Sequence, residues 1–387
     1  MSKLRHMLGK SKVAEKAMEW RNEKKLEKAR EDPEAFSSSS MTEEEAEKIL
    51  CGIYTPPYQD LNVIRMKKPE KPVDISIIIP MYNAQDTIAE CIESCLDQVI
   101  DPMPFSLEII AVDDGSTDKT AEIAESYDNV RVIRKRNGGQ SSARNEGLRA
   151  ARGNYICFMD SDDRFYSNDS LEKLFYGKRN ADIICGGIYQ EAKNRYITCR
   201  EYRDNARSDA AYEARCAASP GYPVAKLYKR ELFDRICFPE GYWFEDSIVH
   251  LILFERAKSF ATIKDTVYYY RDNPNGTTAG KDVSPKCLDH LYVFDCIMLM
   301  RFGAGLDFTP GFLIQAMYHF SISEIGRMKC LSREAKEAAF ILSCRRIKNI
   351  LERTKEVKMT EDQELLKAAF TKKEYGLWSI LSKAEKR

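Results

Sequence analysis

Tyr155-Ile156-Cys157-Phe158-Met159-Asp160-Ser161-Asp162-Asp163 decides how this chain is read. Five apolar residues run straight into three carboxylates within four positions. The apolar part has the composition of a strand buried on both faces. The acids form a charged turn at its carboxyl end. Isolated acids at a strand end are solvated or cap a helix, but three this close repel one another unless something positive sits among them. A divalent cation answers that repulsion economically, since hard cations take oxygen ligands and share them with a substrate's phosphates. The stretch therefore reads as a metal–phosphate site or as a solvated turn.

The same grammar recurs upstream. Val73 to Ile79 is almost wholly β-branched and apolar, a buried parallel strand that Pro80 ends. Thr87 to Gln98 has helical spacing. Leu107 to Val112 is a second strand, closed by Asp113-Asp114-Gly115-Ser116-Thr117-Asp118, and Lys119 to Ser126 is a helix. Val130 to Ile133, the turn Asn137-Gly138-Gly139 and a helix over Ser141 to Ala151 lead into the opening stretch. Strand and helix alternate four times, which predicts an α/β parallel sheet with right-handed crossovers. Ligands bind such sheets at the carboxyl ends of the strands. Pro80-Met81-Tyr82-Asn83, Asp113-Asp114, Asn137-Gly138-Gly139 and Asp160 to Asp163 all fall there, and that convergence argues for one active site.

Beyond it the alternation loosens. Leu171 to Tyr176 reads as helix and Ile183 to Tyr189 as strand, while residues 190 to 220 show no clear period. Ala225 to Arg235 and Ser247 to Ala257 read as helices, Thr266 to Arg271 as a short aromatic edge strand, and the chain from about Pro285 as mostly helical. At the other end, residues 1–30 carry ten Lys/Arg and four Glu. A thin apolar stripe there (Leu4, Leu8, Met18, Leu26) predicts a solvated or partner-packed helix, or one lying on an anionic membrane surface. Ser37-Ser38-Ser39-Ser40 reads as a linker. Thr42 with Glu45 is a capping-box pattern opening a short helix to about Cys51. Pro56-Pro57 and Lys67 to Pro72 make a second linker. The expected organisation is a helical basic extension and linker over 1–72, one α/β domain over 73–284 and a helical region over 285–387.

Across the 387 residues Lys+Arg and Asp+Glu are equal at 60 each, so no global field favours nucleic acid or membrane. The 12 cysteines include no C-x-x-C pair, and with 4 histidines no zinc spacing occurs. Free thiols in a reducing cytosol are expected. The N-terminus has no apolar signal core. The longest apolar run, Leu288 to Phe302, is broken by Asp289, His290, Asp295 and Arg301, so no transmembrane helix is expected. A Walker loop is excluded because no Gly-Lys-Ser/Thr follows Gly138-Gly139, and the first strand ends without G-x-G-x-x-G.

Ser76-Ile77-Ile78-Ile79-Pro80-Met81-Tyr82-Asn83, Val112-Asp113-Asp114-Gly115-Ser116-Thr117-Asp118, Asn137-Gly138-Gly139-Gln140, Ala143-Arg144-Asn145-Glu146-Gly147 and Asp160-Ser161-Asp162-Asp163 together resemble family 2 glycosyltransferases. The resemblance covers roughly residues 73 to 272. It implies a GT-A fold with a Rossmann-like nucleotide-binding sheet, flanked here by helical N-terminal and C-terminal extensions. It also implies a nucleotide-sugar donor, a divalent metal (Mn²⁺ or Mg²⁺) and inversion at the anomeric carbon.

By that resemblance Pro80, Tyr82 and Asn83 line the nucleotide pocket, with Tyr82 on or beside the base. Asp114, beside Asp113, accepts the uracil N–H, and Gly139 gives close backbone approach. Arg144 serves the diphosphate, holds a carboxylate of the metal cluster, or is a plain surface arginine. Asp160, with Ser161, leans to the ribose, and Asp160 and Asp162 form the D-x-D for the metal, with Asp163 supporting. A metal across both phosphates stabilises the charge on the departing diphosphate. The acceptor hydroxyl needs a general base. Pro239-Glu240-Gly241-Tyr242-Trp243-Phe244-Glu245-Asp246 supplies Asp246, with Glu245 its rival, although acids there also suit a helix dipole. Trp243 and Tyr242 are placed against a sugar ring, and Lys226 at the acceptor side or the diphosphate. Tyr268-Tyr269-Tyr270-Arg271 is an edge strand or a loop closing over the donor. His250 and His290 are structural.

The expected enzyme is a cytoplasmic, metal-dependent hexosyl- or N-acetylhexosaminyltransferase, peripheral to the membrane if the basic helix binds there. It uses a UDP-sugar and a glycan or glycolipid acceptor in surface polysaccharide biosynthesis, with no nucleic acid partner and a homo-oligomer left open. Two rivals remain: a nucleotidyltransferase, and a non-catalytic nucleotide- or glycan-binding module on a degenerate transferase scaffold.

Overall fold

A computed structural model describes residues 31, 35–57, 60–98, 105–177, 180–273, 284–323, 327–356 and 358–382. The stripe Leu4, Leu8, Met18 and Leu26 lies outside them. Two compact units divide the chain: one takes Pro56–Ala279 with Tyr292–Asp307, the other Met1–Thr55, Gly280–Leu291 and Phe308–Arg387.

The first unit is built on a single sheet. Its strands are β1 (Val73–Met81), β2 (Leu107–Asp113), β3 (Val130–Arg134), β4 (Gly153–Phe158), β5 (Arg164–Phe165), β6 (Ile183–Gln190), β7 (Arg195–Ile197), β8 (Arg203–Asp204), β9 (Lys226–Lys229) and β10 (Phe260–Tyr270). They run β3-β2-β1-β4-β9-β6-β10-β5, with β7 on β6 and β8 on β10. The block β3-β2-β1-β4 is parallel. Beyond it β9 is antiparallel to both β4 and β6, and β10 is parallel to β6. The alternation in the sequence is thus realised as a parallel half joined to a mixed half.

Ile75, Ile77, Ile78 and Ile79 are fully buried, so both faces of β1 are covered. The strand does not end at Pro80. Ile78 O faces β4, where it accepts the Met159 amide at 3.0 Å. Two residues on, the missing N–H of Pro80 falls on the same side, past the last β4 partner pair Ile78–Phe158. On the β2 side pairing continues to Met81–Asp113.

Three other elements differ from their sequence reading. Ala225 to Arg235 is strand β9 followed by one tight 3₁₀ turn, Arg230–Phe233, because Lys226 to Tyr228 pair with β6 and Tyr228 and Lys229 with β4. The Thr266 to Arg271 strand is the end of the eleven-residue β10, which has β6 on one side and β5 and β8 on the other, so it is no edge. Residues 190 to 220, polar and without period, contain β7, β8 and the helix Asp209–Ala218, capped by Ser208. His250 and His290 are structural as read: the His250 ring bonds Ser219 O at 3.1 Å and burial pushes its pKa down to about 4, while His290 Nδ1 lies 2.6 Å from Cys287 O.

The second unit is helical. Thr42 and Glu45 form the full capping box at the start of Glu43–Ile53. That helix packs on Arg333–Leu351 and buries Ala46 and Leu50. Ser39, read as linker, is pinned: its amide donates to Lys373 O and its hydroxyl to Glu337. Trp378 is fully buried against Phe340 and Tyr375, with Nε1 donating to Phe320 O at 2.8 Å. Among the described residues no helix is long and apolar enough to cross a membrane.

The helix Gln140–Ala150 lies on β1 and β2 in the sheet unit. Its Gly147 is required there, since a Cβ would stand 2.3 Å from Ile78 Cγ2. Gly147→Ala is expected to overpack this contact and cost about 1–3 kcal/mol, read as a lowered urea midpoint. An unchanged midpoint would show that the helix can lift off β1 freely.

Candidate active site

The turn after β4 is held from behind. Tyr268 on β10 donates its hydroxyl to Asp163 Oδ2 at 2.7 Å and accepts the Asp160 amide at 3.2 Å. The Arg271 amide donates to Asp163 Oδ1 at 2.8 Å, and Arg271 Nε to Asp162 O at 2.9 Å. Asp163 is therefore turned into the fold and not toward the cleft. Burial, followed by the charges of Asp160 and Asp162, pushes its carboxyl well above the usual range. Burial also raises Asp162, reinforced by Asp160 and opposed by an Asn273 Nδ2 hydrogen bond at 2.9 Å. Among the described residues no three acids, imidazoles or thiols gather as a ready metal cage. The turn instead presents two carboxylates, Asp160 and Asp162.

Arg144 joins this turn to a distant segment. It sits in the second turn of Gln140–Ala150 and is 2 % exposed, which excludes a plain surface arginine. Nη2 donates to Asp160 Oδ1 and Nη1 to Glu245 Oε1, each at 2.8 Å. The guanidinium lies 5.4 Å from the Phe238 ring centroid. A planar fork suits two acceptors at once, which an ammonium does not. Gln140 Nε2 adds a 3.3 Å contact to the same Asp160 oxygen. Next to Arg144, the fully buried Asn145 donates Nδ2 to Phe238 O and Glu240 Oε1 and accepts the Phe238 amide. Two successive helix residues thus fix both the D-x-D turn and the segment carrying Glu245 and Asp246.

That segment is strained. Gly241 and Phe244 have φ of +80° and +65°, and a bulky residue with positive φ persists only where its surroundings enforce it. Tyr242 is tied to Pro57 O, and Trp243 meets Phe244 edge-on at 6.4 Å. Glu245 is committed to Arg144. Asp246 is half-buried, and among the described residues no side-chain hydrogen bond or ion pair engages its carboxylate. Lys226 is 1 % exposed and donates Nζ to Tyr222 O (2.8 Å) and Val224 O (3.3 Å). Burial lowers its pKa, against the opposing charge of Asp246. Its amine faces carbonyls, not the open cleft.

At the carboxyl end of β1, Tyr82 is 51 % exposed. Asn83 adopts φ +47° and bridges to the next loop: its Oδ1 accepts the Thr117 amide, and its own amide donates to Ser116 Oγ. Asp113 accepts the Ser116 amide. Asp114 is buried, with Lys135 Nζ (2.7 Å) and Gly138 N (3.0 Å) on Oδ1 and Gly139 N (2.7 Å) on Oδ2. It therefore shapes the glycine turn directly. Gly139, at φ +85°, starts the Arg144 helix, and a Cβ on Gly138 would meet Ser142 Oγ at 2.8 Å.

Pro80, Asp114, Gly139, Arg144, Asp160 and Asp162 thus meet at the carboxyl edge of β1, β2 and β4, and Arg144 ties Glu245 to them. Sequence reading missed Asn145, Lys135, Gln140, Tyr268 and Arg271 as residues that hold the site. Asn145 and Gln140 lay inside quoted motifs. Tyr268 and Arg271 were read as an edge strand or a loop closing over the donor, and their hold on Asp163 and Asp162 carried no local signal, since those partners are more than 100 residues away in the chain.

Residues 76–237 match the model for glycosyl transferase family 2. EpsJ of Bacillus subtilis (strain 168), an uncharacterized glycosyltransferase, is 38% identical over 225 residues, 53% of this chain and 62% of EpsJ. Glycosyltransferase GlyG of Streptococcus pneumoniae serotype 4 is 32% identical over 257 residues, 60% of this chain and 82% of GlyG. The crystal structure of S. aureus TarS 1-349 in complex with UDP-GlcNAc superposes with a TM-score of 0.57 at 21% identity, over 79% of this chain and 90% of that one. The last likeness is one of fold, the GT-A fold.

Arg144→Met leaves Asp160 and Glu245 without their shared cation. The expected loss is about 3–5 kcal/mol of unfolding free energy, with Arg144→Lys intermediate because an ammonium does not fork between both acids. Urea titration of the three proteins checks this. Equal midpoints would mean that the bridge contributes nothing.

Proposed function

Because the chain belongs to glycosyl transferase family 2, we propose that it transfers a hexosyl or N-acetylhexosaminyl group from a UDP-sugar, with inversion, to a hydroxyl of a glycan or lipid-linked saccharide destined for a surface polysaccharide. One observation carries this reading: Arg144 couples Asp160 to Glu245, while among the described residues no side-chain hydrogen bond or ion pair engages the neighbouring Asp246 carboxylate. A general base must be ionised and open to the proton it takes. Glu245, spent on a buried guanidinium, does not meet that condition. Asp246 is therefore assigned the acceptor proton, and Glu245 the positioning of its neighbour.

The residues present fit a divalent cation. Asp160 and Asp162 are hard oxygen donors on one turn, and Asp163 beside them is turned away into hydrogen bonds with Tyr268 and the Arg271 amide. Mg²⁺ and Mn²⁺ sites of this kind use one or two carboxylates together with substrate phosphates. When bound, the cation supplies charge neutralisation to the diphosphate leaving group. Asp162 would be its main protein ligand, since Asp160 shares an oxygen with Arg144. Exposed Tyr82 is available to flank the base, and the Gly138-Gly139 turn lets backbone approach the nucleotide. TarS bound to UDP-GlcNAc supports a UDP-sugar donor.

Calorimetry with UDP, in Mn²⁺ and then in chelator, tests the donor site. Metal-dependent UDP binding that Asp162→Ala abolishes, with the fold retained, is expected. Binding that is absent, or unchanged in the variant, would turn the reading toward a non-catalytic module. For the base, Asp246→Asn is expected to lower kcat by about 10²–10⁴-fold with little change in UDP affinity. A smaller loss in Asp246→Asn than in Glu245→Gln would reverse the two assignments.

A further inference from the structure

A row of aromatic side chains crosses the sheet beside the D-x-D turn, and the proposed reaction leaves it without a role. Tyr196 on β7 pairs with Tyr189 on β6, Tyr189 with Tyr269 on β10, and Tyr269 with Arg164 on β5. These four residues stand in one register line, so their side chains share a face. Ring centroids are 5.0 Å apart for Tyr189–Tyr196 and 5.3 Å for Tyr189–Tyr269, and the Arg164 guanidinium lies 3.9 Å from the Tyr269 centroid. Tyr166 covers the same end, with its hydroxyl 3.1 Å from that of Tyr196. Strands stand about 4.8 Å apart, so the row spans about 14 Å.

Cross-strand aromatic pairs stabilise a sheet by themselves, but that role needs no exposure. Tyr196 is 55 % and Tyr166 36 % exposed. An exposed apolar patch with a polar rim marks an interaction site, and this row has such a rim: Tyr189 donates to Asn194, Tyr269 to Glu191, and Arg195 to Gln190. Arg164 is already paired with Glu90 at 3.0 Å. Glu191 also accepts the Asp272 amide. The exposed Tyr196 and Tyr166 rings, more than unpaired charge, are what the row offers.

We propose that Tyr196, Tyr189, Tyr269 and Tyr166 form a platform that stacks the pyranose rings of the acceptor oligosaccharide as they leave the reaction centre. The axial C–H face of a pyranose is apolar and packs on an aromatic face, while its equatorial hydroxyls reach a polar rim. The position fits an acceptor chain. Arg164 directly follows Asp163, and Arg271, two residues past Tyr269, binds Asp162 O and the Asp163 carboxylate. The row thus begins where the D-x-D turn ends. This inference rests on the transferase reading and narrows its acceptor to one with ring sugars near the reacting hydroxyl.

The test is saturation-transfer NMR on the full chain with cellotetraose, chitotetraose and maltotetraose as probes. Transfer to at least one of them is expected. Tyr196→Ala and Tyr166→Ala should each weaken it by about fivefold or more, the worth of one aromatic contact, and Tyr196→Phe should keep it. Thermal melts check that the variants fold. No transfer to any probe, or equal transfer in the alanine variants, would overturn the platform. So would sedimentation showing that the wild-type chain self-associates through Tyr196 and binds no saccharide. UDP binding followed in the same samples reports on the donor reading separately, and saccharide binding without UDP binding still supports the platform.

Discussion

A guanidinium buried between two carboxylates organises the sheet unit of this protein. Arg144 gives one edge of its fork to Asp160 and the other to Glu245. Neither acid is more than 23 % exposed, so each needs that charge more than a surface acid would. The pair brings together the turn after β4 and a loop about 85 residues further on. Without it two acids would face one another across the centre of the site.

The helix bearing Arg144 is positioned as carefully as its side chain. Asp114 draws in the amides of Gly138 and Gly139 and sets where the helix begins. Gly147 lets the helix lie close on Ile78. Asn145 then reads the backbone of Phe238 on both its donor and its acceptor. A backbone contact of this kind fixes direction as well as distance, which is what a segment with Phe244 at positive φ requires. The strain at Phe244 and the ion pair at Glu245 have the same consequence: they fix the backbone just ahead of Asp246.

The parallel half was legible in the sequence because the apolar runs of β1, β2 and β4, largely buried, could be recognised without their partners. The carboxyl-edge acids were legible for the same reason. The mixed half was legible only in part. Lys226-Leu227-Tyr228-Lys229 is too short to show a period, and only its pairing with β4 and β6 makes it a strand. The aromatic residues from Tyr268 on looked like an edge because the sequence holds no sign of β5, two residues long, on the far side.

Local composition determined the parallel strands, the glycine turn, the capping box at Thr42 and the clustering of Asp160, Asp162 and Asp163. Those features depend on neighbours a few residues away. Which acids are committed to internal partners was decided only by the tertiary structure. Asp163 became a buried anchor through Tyr268 and Arg271, and Glu245 a salt-bridge partner through Arg144. Asp114 became the anchor of the glycine turn. A carboxylate's chemistry is set by what surrounds it in space, and for these residues most of those surroundings come from distant parts of the chain.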